Sequence, residues 1–189
     1  PKVDATGEPA SEVQNLRGAE WAGGAAMLTG AALFSGFYLN ELLMKLLARS
    51  DAHPALFDIY AATLSALGTS SDETALRAFE VALLKQTGLL PDLSLVTLTQ
   101  EAVRGDARYN LLAEAGVGAP RAGDPALPGH VLIGLQAALE HGSLPALHQA
   151  CATALPELKT VLRGLLHYHL GSPVLRTRQV MLDVQALDR

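Results

Sequence analysis

From Thr29 onward the apolar residues recur at intervals of three and four. Leu39, Leu42, Leu43, Leu46 and Leu47 share one face, and Phe34, Phe37 and Tyr38 widen it. This spacing predicts a first helix with a broad buried stripe, central to the core. Before it, residues 1–12 are polar and carry Pro, Gly and Ser, so they read as loop. Glu12–Trp21 reads as a weak strand anchored on Val13 and Leu16. Asp51 is placed to cap a second helix, with Pro54 tolerated in its first turn. That helix runs through Leu56, Ile59, Tyr60, Thr63 and Leu67 to a stop at Gly68. Ser70 and Glu73 have capping-box spacing, and Asp72 adds negative charge where the helix dipole favours it. The third helix follows, with Leu76, Phe79, Leu83 and Leu84 as its stripe and Gly88 as its end.

Residues 89–129 break this rhythm with five glycines and four prolines. Leu93, Leu95, Val96 and Leu98 predict one short strand, and Arg108–Leu112 another. Helical spacing returns at Val131, Leu132, Leu135 and Leu139, again over Leu144–Cys151, and from Leu155 through Leu158, Leu162, Leu165 and Leu166 to Gly171. A short amphipathic tail follows Pro173. The expected fold class is mostly α: a helical bundle with a few short strands or loops at about 89–129.

Composition agrees. Ala (31) and Leu (36) make up 67 of 189 residues, and aromatics only 5%. Both lose little on becoming helical. At 19.8 kDa and a mean hydropathy of +0.22 the chain is long and apolar enough for one sizeable core, which excludes intrinsic disorder. The uncharged run Trp21–Asn40 approaches bilayer-spanning length, about 20 residues. Gly23, Gly24, Gly30 and Gly36 dilute it, so a buried helix is expected instead. No signal-peptide pattern opens the chain, and the single cysteine, Cys151, excludes an internal disulfide framework; a cytosolic setting follows. The chain starts at Pro1 rather than Met and so reads as a trimmed piece.

The net charge is −5, unevenly spread: residues 157–189 carry five basic and three acidic side chains, leaving +2 there and −7 before. That permits a local phosphate or carboxylate contact but no general nucleic-acid surface. His167 and His169 are two apart on a helical stretch and point about 200° from each other, so they cannot readily share a metal. They remain the best acid–base candidates if this is a helical enzyme domain; a plain interaction scaffold is the other alternative. No nucleotide-binding glycine loop or nucleophile elbow is present, and Cys151 among small apolar residues reads as core. No enzymatic activity, metal or cofactor is expected. Arg77 beside the Leu76/Phe79 stripe suits a peptide offering a carboxylate and apolar side chains together, and equally suits a snorkelling surface arginine. Arg176 and Arg178 in LRTR would stand on one side of an extended segment as an anion clamp, or pair within the fold.

Four stretches in order resemble one family, the bacterial recombination mediator RecO: GFYLNELLMKLL (Gly36–Leu47) with HPALFDIYAATLSAL (His53–Leu67), ALRAFEVALLKQTG (Ala75–Gly88), HLGSPVLRTR (His169–Arg178), and EVQNLRGAEW (Glu12–Trp21). The last is similar to the final strand of that family's N-terminal OB-fold. The resemblance implies a remnant of the OB-fold and linker at 1–24 and a helical domain at 25–189. It also implies a non-enzymatic role in recombinational repair: binding single- and double-stranded DNA, annealing strands, engaging the acidic tail of single-stranded-DNA-binding protein, and helping RecR load RecA at the bacterial nucleoid. Arg77 falls on the Arg of the family's L-R-x-F-E motif, which in relatives belongs to the pocket for that tail; Leu76, Phe79 and Leu83 are its implied apolar neighbours. Arg176 and Arg178 fall on the closing basic motif, which implies DNA contact. Two departures stand out. Ala78 replaces a second arginine common in relatives, and zinc-type cysteines are absent from 89–129. With nearly all of the barrel missing before Glu12, DNA affinity is expected to be poor.

Overall fold

In the computed structural model the described residues are Gly18, Glu20, 27–49, 51–69, 73–171 and 175–187. They form seven helices and one small sheet: α1 (Gly30–Leu46), α2 (Pro54–Thr69), α3 (Glu73–Gln86), β1 (Arg108–Leu112), β2 (Gly116–Gly118), β3 (Ala126–Pro128), α4 (Gly129–Glu140), α5 (Leu144–Ala152), α6 (Leu155–Leu170) and α7 (Arg176–Leu187). The fold is mostly α. The expected strand at Glu12–Trp21 lies outside the described residues, apart from Gly18 and Glu20, which are irregular. Ser70 of the expected capping box, and Asp72 with its added charge, lie outside them as well.

The central helix is α3, not α1. It packs against α2, α5 and α6, and every residue from Arg77 to Leu84 is buried, the polar Arg77 and Glu80 included. Helix α1 is peripheral. Leu39 and Leu42 are fully buried, but Phe37 is 50% exposed and points away from the stripe it was expected to widen. Helix α3 closes as the glycine predicts. Gly88 has φ 71°, its N–H donates to Lys85 O at 3.1 Å, and Leu89 N–H donates to Leu84 O at 2.8 Å, the paired bonds of a Schellman end. Gly171 ends α6 in the same left-handed conformation.

Three local expectations fail. Helix α2 starts at Pro54, so the capping place is taken by His53, whose carbonyl accepts Phe57 N–H at 3.0 Å; Asp51 instead lies 3.4 Å from His53 Nε2. Gly68 lies inside the last turn of α2 rather than beyond it. Residues 93–98 make a hairpin-like turn with a single bridge, Leu95 to Ala102, rather than a strand, because Val96 and Gln100 close on each other through Gln100 N–H to Val96 O at 2.8 Å. The second expected strand, Arg108–Leu112, is β1. It is the middle strand, antiparallel to β2 on one side and β3 on the other, with Asn110 opposite Gly118 and Ala126.

The irregular stretch before β1 is held by buried Leu90, Leu93 and Val103, and by Gln136 of α4, whose Oε1 accepts Leu93 N–H at 3.0 Å. The junction into α4 is tight. Gly129 N–H donates to Ala107 O at 2.8 Å, Arg104 N–H donates to the Tyr109 hydroxyl at 2.9 Å, and a methyl on Gly129 would stand 2.0 Å from Arg104 O.

Helix α7 packs along α1 and borrows its cap from it. Glu41 Oε1 accepts Arg176 N–H at 3.0 Å, and Oε2 accepts Thr177 N–H at 2.9 Å and the Thr177 hydroxyl at 2.8 Å. A carboxylate from another helix thus satisfies the orphan donors of the first turn. Burial pushes the Glu41 carboxyl up, but the bonds from Thr177 and Arg176 together with nearby Lys45 outweigh it and hold it below its ordinary value of 4.5. A carboxyl lowered in the folded state stabilises above its unfolded value and loses that contribution as pH falls through the folded one. Acidification below 4.5 should therefore release α7 first. Amide hydrogen exchange would show protection in residues 176–182 lost ahead of α3 and α6; simultaneous loss would contradict the Glu41 cap.

Candidate functional site

Four helices each turn one stripe toward a common groove of about 350 Å³, at the lower end of the range for ligand pockets, roughly 300–1,000 Å³. Helix α1 gives Phe34 and Tyr38, four apart. Helix α3 gives Glu73, Leu76 and Arg77. Helix α6 gives Lys159, Arg163, Leu166 and His167, and the α7 side gives Leu175, Thr177, Arg178, Met181 and Leu182. Spacings of three and four place these residues on single helix faces. The groove floor is therefore apolar, and its rim carries four basic side chains against one carboxylate in a chain whose net charge is −5.

The charges are not equally free. Arg77 is only 9% exposed, with its guanidinium 3.0 Å from Glu80 Oε2. Glu80 is fully buried, and its other oxygen accepts the Tyr38 hydroxyl at 2.5 Å. Burial pushes the Glu80 carboxyl up, with Arg77 and the Tyr38 bond opposing; burial and Glu80 together push the Tyr38 phenol up. Lys159 pairs with Glu73 across α6 and α3. Arg163 and Arg178 are exposed, and among the described residues neither has an ion-pair partner. Both stand near His167: burial, then Arg163 and Arg178, push that imidazole below its ordinary value, so it is neutral at pH 7. The cationic character of the groove is that of arginine and lysine.

The structure brings Leu76, Arg77 and Arg178 together at this groove. Phe79 and Leu83 are 0% exposed in the core beneath it, where a ligand on the surface does not reach them. Arg176 and Arg178 lie in the first turn of a helix, not in an extended segment, so they point about 200° apart rather than to one side. Arg178 faces the groove; Arg176 is exposed and does not line it. His167 lines the groove with no carboxylate partner among the described residues, and His169 leans instead on the Tyr168 ring, 5.2 Å away. Cys151 is fully buried, and burial pushes its thiol up to about 12, so it is no nucleophile at neutral pH. No described helix is long and apolar enough to cross a membrane, and among the described residues no group of three His, Cys, Asp or Glu is placed to hold a metal ion.

Sequence reasoning missed Lys159 and Arg163, although with His167 they recur every fourth residue along α6, which is a readable signal. It also missed Tyr38 and Glu80, for which local sequence gives none; their meeting is tertiary.

Residues 27–179 match the family described as Recombination protein O C terminal. Proteins named DNA repair protein RecO are similar over nearly the whole chain. That of Verminephrobacter eiseniae (strain EF01-2) is 50% identical over 182 residues, 94% of this chain and 72% of its own length. That of Polaromonas sp. (strain JS666) is 52% identical over 182 residues, 94% of this chain and 73% of its own. That of Acidovorax ebreus (strain TPSY) is 47% identical over 195 residues, covering 96% and 74%. With a family match over most of its length and half its residues shared with such relatives, this chain belongs to the RecO family.

Proposed function

We propose that this chain serves DNA repair as a non-enzymatic recombination mediator, and that its groove holds the acidic, apolar-ended tail of single-stranded-DNA-binding protein. The observation that carries the reading is the pairing of an apolar floor with a basic rim in an otherwise acidic chain. A peptide that ends in a bulky side chain and carries carboxylates matches both halves at once, whereas a bare phosphate strand would leave the floor unused. Leu76 supports the apolar end, and Arg77 anchors the wall behind it. Family membership supports the wider role: annealing strands and, with RecR, loading RecA. Residues 1–24 read as the end of an OB-fold and 25–189 as the helical domain. Arg176, exposed at the start of α7, is the remaining candidate for DNA contact.

Fluorescence anisotropy with a labelled peptide of several aspartates and a C-terminal phenylalanine tests the groove. Leu76→Glu puts a like charge on the floor and should weaken binding by at least ~10-fold, about 1.4 kcal/mol. Equal binding by Leu76→Glu would remove the groove from this role.

A further inference from the structure

Of the groove's arginines, Arg77 lies in the L-R-x-F-E stretch, Arg178 in the closing basic stretch and Arg163 in neither. Arg77 belongs to the conspicuous Leu76–Glu80 stretch, but its charge is turned inward onto Glu80, itself wholly buried and tied to Tyr38. A guanidinium that compensates a buried carboxylate is poorly placed to take a second one, since its field is already largely cancelled. Lys159 is engaged with Glu73, in a pair whose two side chains are each 42% exposed. Arg163 on α6 and Arg178 on α7 are exposed and face the same space from two different helices, and His167 lies close to both.

We infer that Arg163 and Arg178 form a two-helix clamp for the carboxylates of an acidic peptide, while Arg77 is a positioning residue that fixes α1 to α3 through Glu80 and Tyr38. This rests on reading the groove as a peptide site, and it assigns the ligand's charge to a different wall. Arginine suits the task because its planar fork takes a carboxylate with two parallel hydrogen bonds. The wall carrying Arg178 is itself set by the Glu41 cap at the start of α7.

The same anisotropy titration, run on the full chain at low and moderate salt, separates the assignments. Arg163→Ala and Arg178→Ala should each lose at least ~10-fold, the loss of a charge-assisted bond. Arg163→Lys and Arg178→Lys should each recover most of that, to within about 5-fold of wild type, because a point charge keeps the attraction without the fork. Both alanine variants should also show a shallower salt dependence. Arg121→Ala, outside the groove, makes the same charge change as a control. Arg77→Met/Glu80→Leu removes a charge pair together and should cost clearly less than either clamp variant; circular dichroism checks that it folds. If the clamp variants bind like wild type while the Arg77 double variant does not, the clamp is wrong and the groove stands. If wild type ignores the peptide, both readings fall. If the clamp variants lose a single-stranded oligonucleotide but not the peptide, the arginines serve phosphate and the inference is overturned.

Discussion

Arg77→Ala is expected to lower folding stability by about 3–5 kcal/mol, the usual cost of removing one partner of a buried ion pair. That is a large share of the roughly 5–15 kcal/mol that holds a domain together. The reason lies in what the variant leaves behind. Glu80 is fully buried in the central helix, and without Arg77 its only described polar contact is the Tyr38 hydroxyl. Burial already pushes the Glu80 carboxyl above 4.5, with Arg77 the largest opposing influence. Deleting Arg77 raises it further, so the variant protonates rather than buries a bare charge. A carboxyl raised in the folded state contributes stability below its unfolded value and loses it as pH climbs through the folded one. The deficit of Arg77→Ala should thus be largest at neutral pH and shrink toward pH 4.5. Urea unfolding of wild type and variant across that range measures it. A deficit below about 1 kcal/mol, a value ordinary for surface pairs, would mean the pair is not as dry as its geometry indicates. Arg77→Met/Glu80→Leu should recover much of the loss, because swapping both charges for apolar groups removes the desolvation cost.

Gly129→Ala should be nearly as damaging for a different reason. Its added carbon would meet the Arg104 carbonyl oxygen at 2.0 Å and the Tyr109 ring at 3.1 Å. The first obstacle is backbone and cannot rotate away. Relief requires the 104–107 segment to shift, which breaks Gly129 N–H to Ala107 O and disturbs the edge where β3 meets β1. A loss of about 3 kcal/mol, the upper end for overpacking, is expected. In a chain of this length that corresponds to a fall of about 6–12 °C in Tm. Gly118→Ala, where an added carbon meets nothing within 4 Å, is the matched control and should stay within about 0.5 kcal/mol of wild type. Equal Tm values for the two variants would show that the α4 junction yields easily.

The elements with unbroken spacing were legible in the sequence. Helix α6 follows its leucines to Gly171, α3 ends at its glycine, and β1 has the bounds its apolar run implies. What was not legible is which helix lies at the centre. Helix α3 looks one-sided because Arg77 and Glu80 are polar, yet both are inside, where each answers the other. Phe37 misleads in the opposite direction: it is aromatic and half exposed. The tail after Pro173 could be read as extended because its own sequence supplies no cap, and the cap it uses comes from Glu41. At the site, Leu76, Arg77 and Arg178 could be found from local pattern. Tyr38, Glu80 and the freedom of Arg163 depend on helices remote in sequence, and no window along the chain contains them together.

The Glu41 cap also bears on the order in which the molecule assembles. The bond from Arg176 N–H to Glu41 closes a loop of 135 residues. Closing so long a loop gains little until the intervening helices have shortened the path. Helix α7 is too short to persist on its own, so it should form last, on a bundle already standing. It should correspondingly open first, at a free energy well below that of global unfolding. One wall of the groove is then a reversible addition to a finished core, and the groove can be assembled or dismantled without loss of the fold.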